Sequence, residues 1–237
     1  MKTTSSVFVL LSVLAIPAAA QEIGVKFSTE LLSSYVAPIG LEPHGGTVSQ
    51  SSITFSLPRG FYADLWGSTG LDFEPNPGRE IDWTLGWTKG GVDVGVAYFD
   101  FDTLFSGRKG DICRFYSRYT RTLPVKRFKL EAYGKAEYYH STVEPSRNSA
   151  HLVGGGLAPT FAFSGGRFSL TLNADVSHVG RVLDHPSGLL LQTGGRLGVK
   201  AGRFTLYPLI LKSSVPLAGA EQSGRHLALG AGIGGGG

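Results

Sequence analysis

Residues 167–178, RFSLTLNADVSH, are the stretch of sequence that decides the fold. Apolar and polar side chains alternate here, and the apolar ones are Phe168, Leu170, Leu172, Ala174 and Val176. A period of two predicts a β-strand with one apolar and one polar face. The apolar face suits either a protein core or a lipid bilayer, so the rest of the chain has to distinguish the two environments.

The same alternation recurs along the chain, and no segment shows a convincing helical period of 3.6 residues. The chain is therefore predicted to be all-β. The predicted strands are 24–36, 47–57, 61–72, 79–88, 92–102, 111–122, 127–140, 150–163, 167–178, 188–200, 203–213 and 224–234. Within the eleventh segment, Pro208 cannot donate a hydrogen bond to a neighbouring strand, which indicates a β-bulge.

The connections between these segments alternate strictly between long and short. The short ones are 58–60, 89–91, 123–126, 164–166 and 201–202. The long ones lie near 37–46, 73–78, 103–110, 141–149, 179–187 and 214–224. In a meander this order places all long loops at one end. We therefore predict a transmembrane antiparallel up-and-down β-barrel of about 12 strands, with short periplasmic turns and long external loops.

The composition supports this prediction and excludes other classes. Glycine makes up 34 of 237 residues, about twice the usual share, which curved and closed sheets tolerate. The net charge of +4 is modest and has no basic block suited to nucleic acid. Because Cys113 is the only cysteine, it can form neither an internal disulfide nor a C-x-x-C metal site.

The first residues have the pattern of a secretory signal peptide. Lys2 is followed by an apolar run over 7–16 and by the small-residue site at Ala18, Ala19 and Ala20. We expect residues 1–20 to be removed and residues 21–237 to form a single barrel domain in the outer membrane of a Gram-negative bacterium. Outer-membrane lipid is then a partner of the chain.

The polar faces of the predicted strands carry mixed charges, which suit a wet lumen. The pore-lining candidates are Lys26, Glu30, Asp64, Asp82, Asp93, Arg114, Arg118, Lys129, Glu131, Lys135, Glu137, Arg167, Asp175, Arg196 and Lys200. Eight are basic and seven are acidic, so they predict no preference between anions and cations. Arg114 and Arg118 share one face, either as a basic track for acidic solutes or as partners of Glu131 or Asp93.

Aromatic residues cluster in pairs near the predicted strand ends. The pairs are Phe61 and Tyr62, Tyr98 and Phe99, Tyr138 and Tyr139, and Phe161 and Phe163. They suit aromatic girdles at two membrane interfaces. Alternatively, they reflect only the general preference of aromatic residues for strands.

The sequence predicts no enzyme, no cofactor and no metal site. Ser177 and His178 are adjacent, as are His140 and Ser141, so each pair would point to opposite faces of a strand. Such a pair cannot form a nucleophile and its base without a partner from another strand. The histidines are scattered, and only Asp184 and His185 with His178 come near the spacing of metal ligands.

Residues 28–101 resemble the TorF family of putative porins, a group of proteobacterial outer-membrane proteins. The resemblance rests on STELLSSY at 28–35, on VSQSSITFSLPRGFYADLWGSTGLDF at 48–73 and on EIDWTLGWTKGGVDVGVAYFDF at 80–101. The matching positions are Tyr35, Gly46, Ser49, Gln50, Gly60, Phe61, Tyr62, Ala63, Trp66, Ser68, Glu80, Asp82 and 93–99. The family's arginine-glycine segment is replaced here by VAPIGLEP at 36–43. The resemblance implies an outer-membrane barrel of porin type, without naming a solute.

Together these observations predict a porin-like barrel that allows passive passage of small polar solutes through a mixed-charge lumen. Two alternatives stay open, namely a non-conducting structural or adhesive outer-membrane barrel and a secreted soluble β protein. The oligomeric state is left open as well.

Overall fold

Twelve antiparallel β-strands close into one barrel in which every strand pairs with its neighbours along the chain and β1 pairs with β12. A computed structural model describes residues 23–39, 43–71, 79–101, 111–142, 149–180, 187–218 and 224–236. The predicted fold class is confirmed. No helix among these residues is long and apolar enough to cross a membrane.

The strand positions follow the period-two segments closely. The strands are β1 (Gly24–Leu32), β2 (Val48–Ser56), β3 (Phe61–Gly70), β4 (Glu80–Lys89), β5 (Val92–Phe101), β6 (Ile112–Leu123), β7 (Lys129–Ser141), β8 (Ala150–Phe163), β9 (Phe168–Val179), β10 (Gly188–Ala201), β11 (Phe204–Pro216) and β12 (His226–Gly236). The short connections lie at one end of the barrel, here called the turn end. The other is the loop end.

The first predicted strand is wrong at its carboxyl end. It was expected to reach residue 36, but β1 ends at Leu32. Residues 33–39, here called the inward segment, follow it: Ser33 still bonds to β12 through Leu229, whereas residues 35–39 line the lumen. Tyr35 also forms an isolated antiparallel bridge with His44.

Pro208 marks the predicted bulge, which is confirmed. The β11–β12 register shifts between Tyr207 and Ile210. Proline has no N–H to donate, so the ladder is interrupted there. Leu206 and Leu209 both lie exposed although they are three residues apart, because the bulge moves the side-chain alternation by one position.

The two faces of the sheet meet different surroundings. Large apolar side chains are exposed on the outer face, among them Phe27, Ile53, Phe61, Leu85, Val94, Phe115, Val153, Leu172, Leu206 and Leu227. Inside the barrel, buried apolar residues form two clusters at the loop end, one around Leu152 and one around Val48. The apolar surface is therefore mainly on the outside, the reverse of a soluble domain.

The turn between β4 and β5 allows a direct test of backbone geometry. Gly91 has φ of 88°, and a Cβ there would lie 2.3 Å from the carbonyl oxygen of Thr120. Gly90 in the same turn has φ of 61°, and nothing lies within 4 Å of its Cβ position. We expect Gly91→Ala to lower the free energy of unfolding by about 2 kcal/mol more than Gly90→Ala. Urea unfolding from lipid vesicles measures both, and equal losses would contradict this explanation.

Candidate functional site

The barrel lumen holds two chambers. The loop-side chamber has a volume of about 950 Å³. The turn-side chamber has a volume of about 400 Å³. Four residues line both of them, namely Pro38, Asp64, Thr84 and Arg114. These four residues therefore lie where the two chambers adjoin, here called the neck.

Most of the pore-lining candidates lie in or beside these chambers. Those that line a chamber are Asp64, Asp82, Asp93, Arg114, Arg118, Lys135, Glu137 and Arg196. Glu30 and Asp175 contact chamber-lining bases through ion pairs. The others lie near the turn end and line neither chamber, namely Lys26, Lys129, Glu131, Arg167 and Lys200. Arg167 lies in the turn before β9 rather than within the strand.

The carboxylate of Glu30 joins distant parts of the barrel wall. One of its oxygens lies 3.3 Å from Arg196 Nη2. The other lies 2.9 Å from Lys212 Nζ. Lys212 also donates to Gln50 Oε1 at 3.2 Å. The alternation in β11 did not reveal Lys212 as an inward residue, because the bulge at Pro208 reverses the faces of the strand after it.

The inward segment crosses the loop-side chamber and contacts several walls. Tyr35 is only 8% exposed, and its ring centroid lies 5.6 Å from that of Trp66. Its hydroxyl donates to the Glu80 carboxylate; burial and this acid raise the pKa of the phenol. On another wall, Gln192 Nε2 donates to the Ala37 carbonyl at 3.2 Å. These contacts hold the segment across the lumen.

Charges of opposite sign lie on different walls of the loop-side chamber. Asp64, Glu80 and Asp82 belong to β3 and β4. Arg196 and Lys212 belong to β10 and β11. Because β4 and β10 are six strands apart in a ring of twelve, they face each other across the barrel. The separation is partial, because Arg114 also lines this chamber and Glu30 pairs with both Arg196 and Lys212.

Side chains that combine charge and aromatic rings line the turn-side chamber. Arg114 pairs with Glu137 at 3.6 Å, and its guanidinium lies 5.0 Å from the ring centroid of Tyr116. Arg118 lies 3.8 Å over the ring of Tyr133. Among the described residues, neither arginine forms an ion pair with Glu131 or Asp93, the acids expected from sequence, because both contact other residues of β7 instead.

An ion pair bridges β7 and β9 across the intervening strand. Lys135 Nζ lies 2.9 Å from Asp175 Oδ1. Gly154 and Gly156 of β8 lie between the two residues in the sheet register. A Cβ at Gly156 would lie 2.7 Å from the Tyr133 hydroxyl. The glycine run of β8 therefore leaves space for side chains that meet above it.

The residues considered for catalysis do not come together. The Ser177 hydroxyl donates to Asp175 in the barrel interior. His178 lies on the outer face, where its ring stacks on His151 with centroids 5.6 Å apart. In the described part of the chain, no group of three or more histidine, cysteine or acidic residues could hold a metal ion. Asp184 and His185 lie outside the described residues.

The expectation of aromatic girdles holds for only part of the aromatic set. Phe61, Tyr138 and Phe163 are exposed on the outer face. Tyr62 and Tyr139 point into the barrel instead, where Tyr62 donates to Asp93 at 2.9 Å and Tyr139 is 2% exposed. Since adjacent residues of a strand face opposite sides, neighbouring aromatics cannot both contact lipid.

Comparison with solved structures agrees with this architecture. The NanC porin superposes with a TM-score of 0.54 at 9% identity, covering 89% of this chain and 98% of that chain. The translocator domain of the autotransporter NalP from Neisseria meningitidis gives 0.51 at 11% identity, covering 91% and 88%. No family model matches the chain, and no curated protein matches it significantly. At these identities the likeness shows the fold, which is that of outer-membrane β-barrels.

Proposed function

We propose that this chain is an outer-membrane barrel that allows small polar solutes to pass passively through its lumen. The observation that carries the proposal is the pair of adjoining chambers, which share four lining residues, inside a closed barrel. Acidic and basic side chains line both chambers, so water and polar solutes meet a hydrophilic surface along the lumen. The resemblance to TorF-type porins supports the same class of function.

The outer surface supports a membrane location over a secreted soluble protein. Its strands contain 9 to 14 residues, and about 9–11 tilted residues suffice to cross a bilayer. Exposed apolar side chains such as Leu85, Val153 and Leu227 are each more than half exposed. A continuous apolar surface of this kind is rare on soluble monomers and is typical of lipid-facing strands.

Export to the outer membrane is part of the proposal. Residues 1–20, which lie outside the described part of the chain, have the sequence of a signal peptide. We propose that they direct the chain across the inner membrane and are then removed before Gln21. No catalytic activity or cofactor is proposed, since the described residues of the lumen bring together charges and aromatic rings without a paired nucleophile and base.

A non-conducting structural or adhesive barrel is the second candidate. The inward segment favours it, because Tyr35 and Ala37 are buried within the lumen and held there by Glu80 and Gln192. A lumen that this segment closes completely would serve a barrel whose external loops carry its function.

Two measurements separate these candidates. The folded protein should migrate faster than the heated protein on a denaturing gel and should fractionate with membranes, whereas a soluble protein would be extracted without detergent. Purified barrel in planar bilayers should then give stepwise conductance in potassium chloride. Correct insertion without any conductance would contradict the channel proposal and favour the structural barrel.

A further inference from the structure

The neck between the two chambers carries one acidic and one basic side chain, Asp64 and Arg114. We infer that the neck is the selectivity filter of the barrel, where the opposite charges of Asp64 and Arg114 set the relative passage of cations and anions. This inference rests on the proposed function, since it concerns the path that permeating solutes would take.

The neck brings together three strands and the inward segment. Asp64 of β3 and Thr84 of β4 are direct cross-strand partners, so their side chains form one continuous piece of wall. Arg114 extends from β6. Pro38 supplies the remaining side from within the lumen. A solute that passes between the chambers at the neck therefore meets a charge of each sign.

Both charged side chains are held in place. The Thr54 hydroxyl donates to Asp64 Oδ1. Arg114, whose side chain is 22% exposed, pairs with Glu137 and lies between the rings of Phe99 and Tyr116. Fixed positions matter here, because a charge on a mobile side chain would move away from a permeating ion and lose its effect on selectivity.

The charge of Asp64 is also less compensated than the charges of Glu30 and Asp175. Glu30 is neutralised by Arg196 and Lys212, and Asp175 is neutralised by Lys135. Asp64 forms no ion pair within the described ranges of the chain. Since Coulomb energy falls with distance and with screening, charges at the shared wall of the two chambers act most strongly on passing ions.

Reversal potentials in a potassium chloride gradient test the inference on the whole barrel in planar bilayers. Arg114→Gln should raise the potassium-to-chloride permeability ratio about 25-fold, because one unit charge at about 4 Å through water changes the passage of each ion about fivefold, in opposite directions for the cation and the anion. Asp64→Asn should lower the ratio by a similar factor. Arg121→Gln is the matched control, because Arg121 lies exposed on the opposite face of the same strand and should leave the ratio unchanged.

Each result decides the inference. Opposite shifts from Arg114→Gln and Asp64→Asn support it, as does recovery of the ratio in Arg114→Lys. Unchanged reversal potentials, or shifts in one direction only, would overturn it while leaving the proposed channel intact. If the unmodified barrel itself inserts but does not conduct, the proposed function fails, and the filter fails with it. Should Arg114→Gln not assemble, the inference still requires that Asp64→Asn lowers the ratio and that Arg114→Lys leaves it unchanged, and any other result overturns it.

Discussion

Leu172→Arg should prevent stable insertion of the barrel, whereas Leu172→Ala should insert almost as well as the unmodified chain. Leu172 lies within β9 on the outer face and is 41% exposed. If that face contacts hydrocarbon, an arginine near the middle of the bilayer costs about 2–4 kcal/mol. Alanine keeps the surface apolar and loses only part of the contact with lipid, so its cost is much smaller.

Folding into lipid vesicles measures this difference. The fraction of protein that migrates as the compact form before heating measures how much of each variant has inserted. Urea unfolding measures how far its free energy of unfolding has fallen. Asn173→Asp is the matched control on the next residue. Asn173 lines the loop-side chamber, so this substitution adds a charge to a wet surface instead of a lipid-facing one. Normal insertion of Leu172→Arg would show that the outer face does not contact lipid, and it would favour the alternative of a secreted soluble β protein.

The strands could be predicted because their cause is local. A strand between water and lipid must alternate polar and apolar side chains, and this pattern is visible in segments such as β7 and β9 without knowledge of their neighbours. The order of short and long connections then implied the meander. Pro208 located its bulge for a local reason too, since a missing N–H interrupts any ladder.

The inward segment could not be predicted because its cause is distant in sequence. The alternation of β1 breaks at Leu31 and Leu32, where the strand ends, but this break does not indicate that the chain then enters the lumen. The contacts that turn it inward come from Trp66, Glu80 and Gln192, which the barrel brings together only after closure. The neck could not be predicted from the sequence for the same reason, because one of its residues, Pro38, belongs to the inward segment.

The sequence predicted which face of its strand each lumen charge occupies, but it did not predict which residue that charge pairs with. Period two placed Lys135 and Asp175 on polar faces, yet their strands are not adjacent. Their contact depends on the small residues of the strand between them. In sequence the run GGG at 154–156 indicated only a curved sheet, whereas the structure shows that it also leaves room above β8.

That buried pair gives the second large effect. We expect Lys135→Met to lower the free energy of unfolding by about 3–5 kcal/mol, because it leaves a buried carboxylate without its cation. Asp175 is only 3% exposed, and the Lys135 side chain is 12% exposed. The Ser177 hydroxyl still donates to Asp175, but one hydrogen bond does not replace the charge of the ammonium group.

A double-mutant cycle separates loss of the pair from loss of packing. Lys135→Met combined with Asp175→Asn should recover much of the stability lost in Lys135→Met alone, since the remaining amide carries no charge to desolvate. Lys129→Met is the matched control on the same face of β7, because Lys129 pairs with Glu131 at a site where its side chain is 56% exposed, and such pairs contribute about 1 kcal/mol or less. Urea unfolding in vesicles gives the free energy for the unmodified chain, for Lys135→Met, for Asp175→Asn, for the double variant and for Lys129→Met. Additive losses at Lys135 and Asp175 would mean that water reaches both groups, and that the ion pair above β8 does not stabilise the barrel.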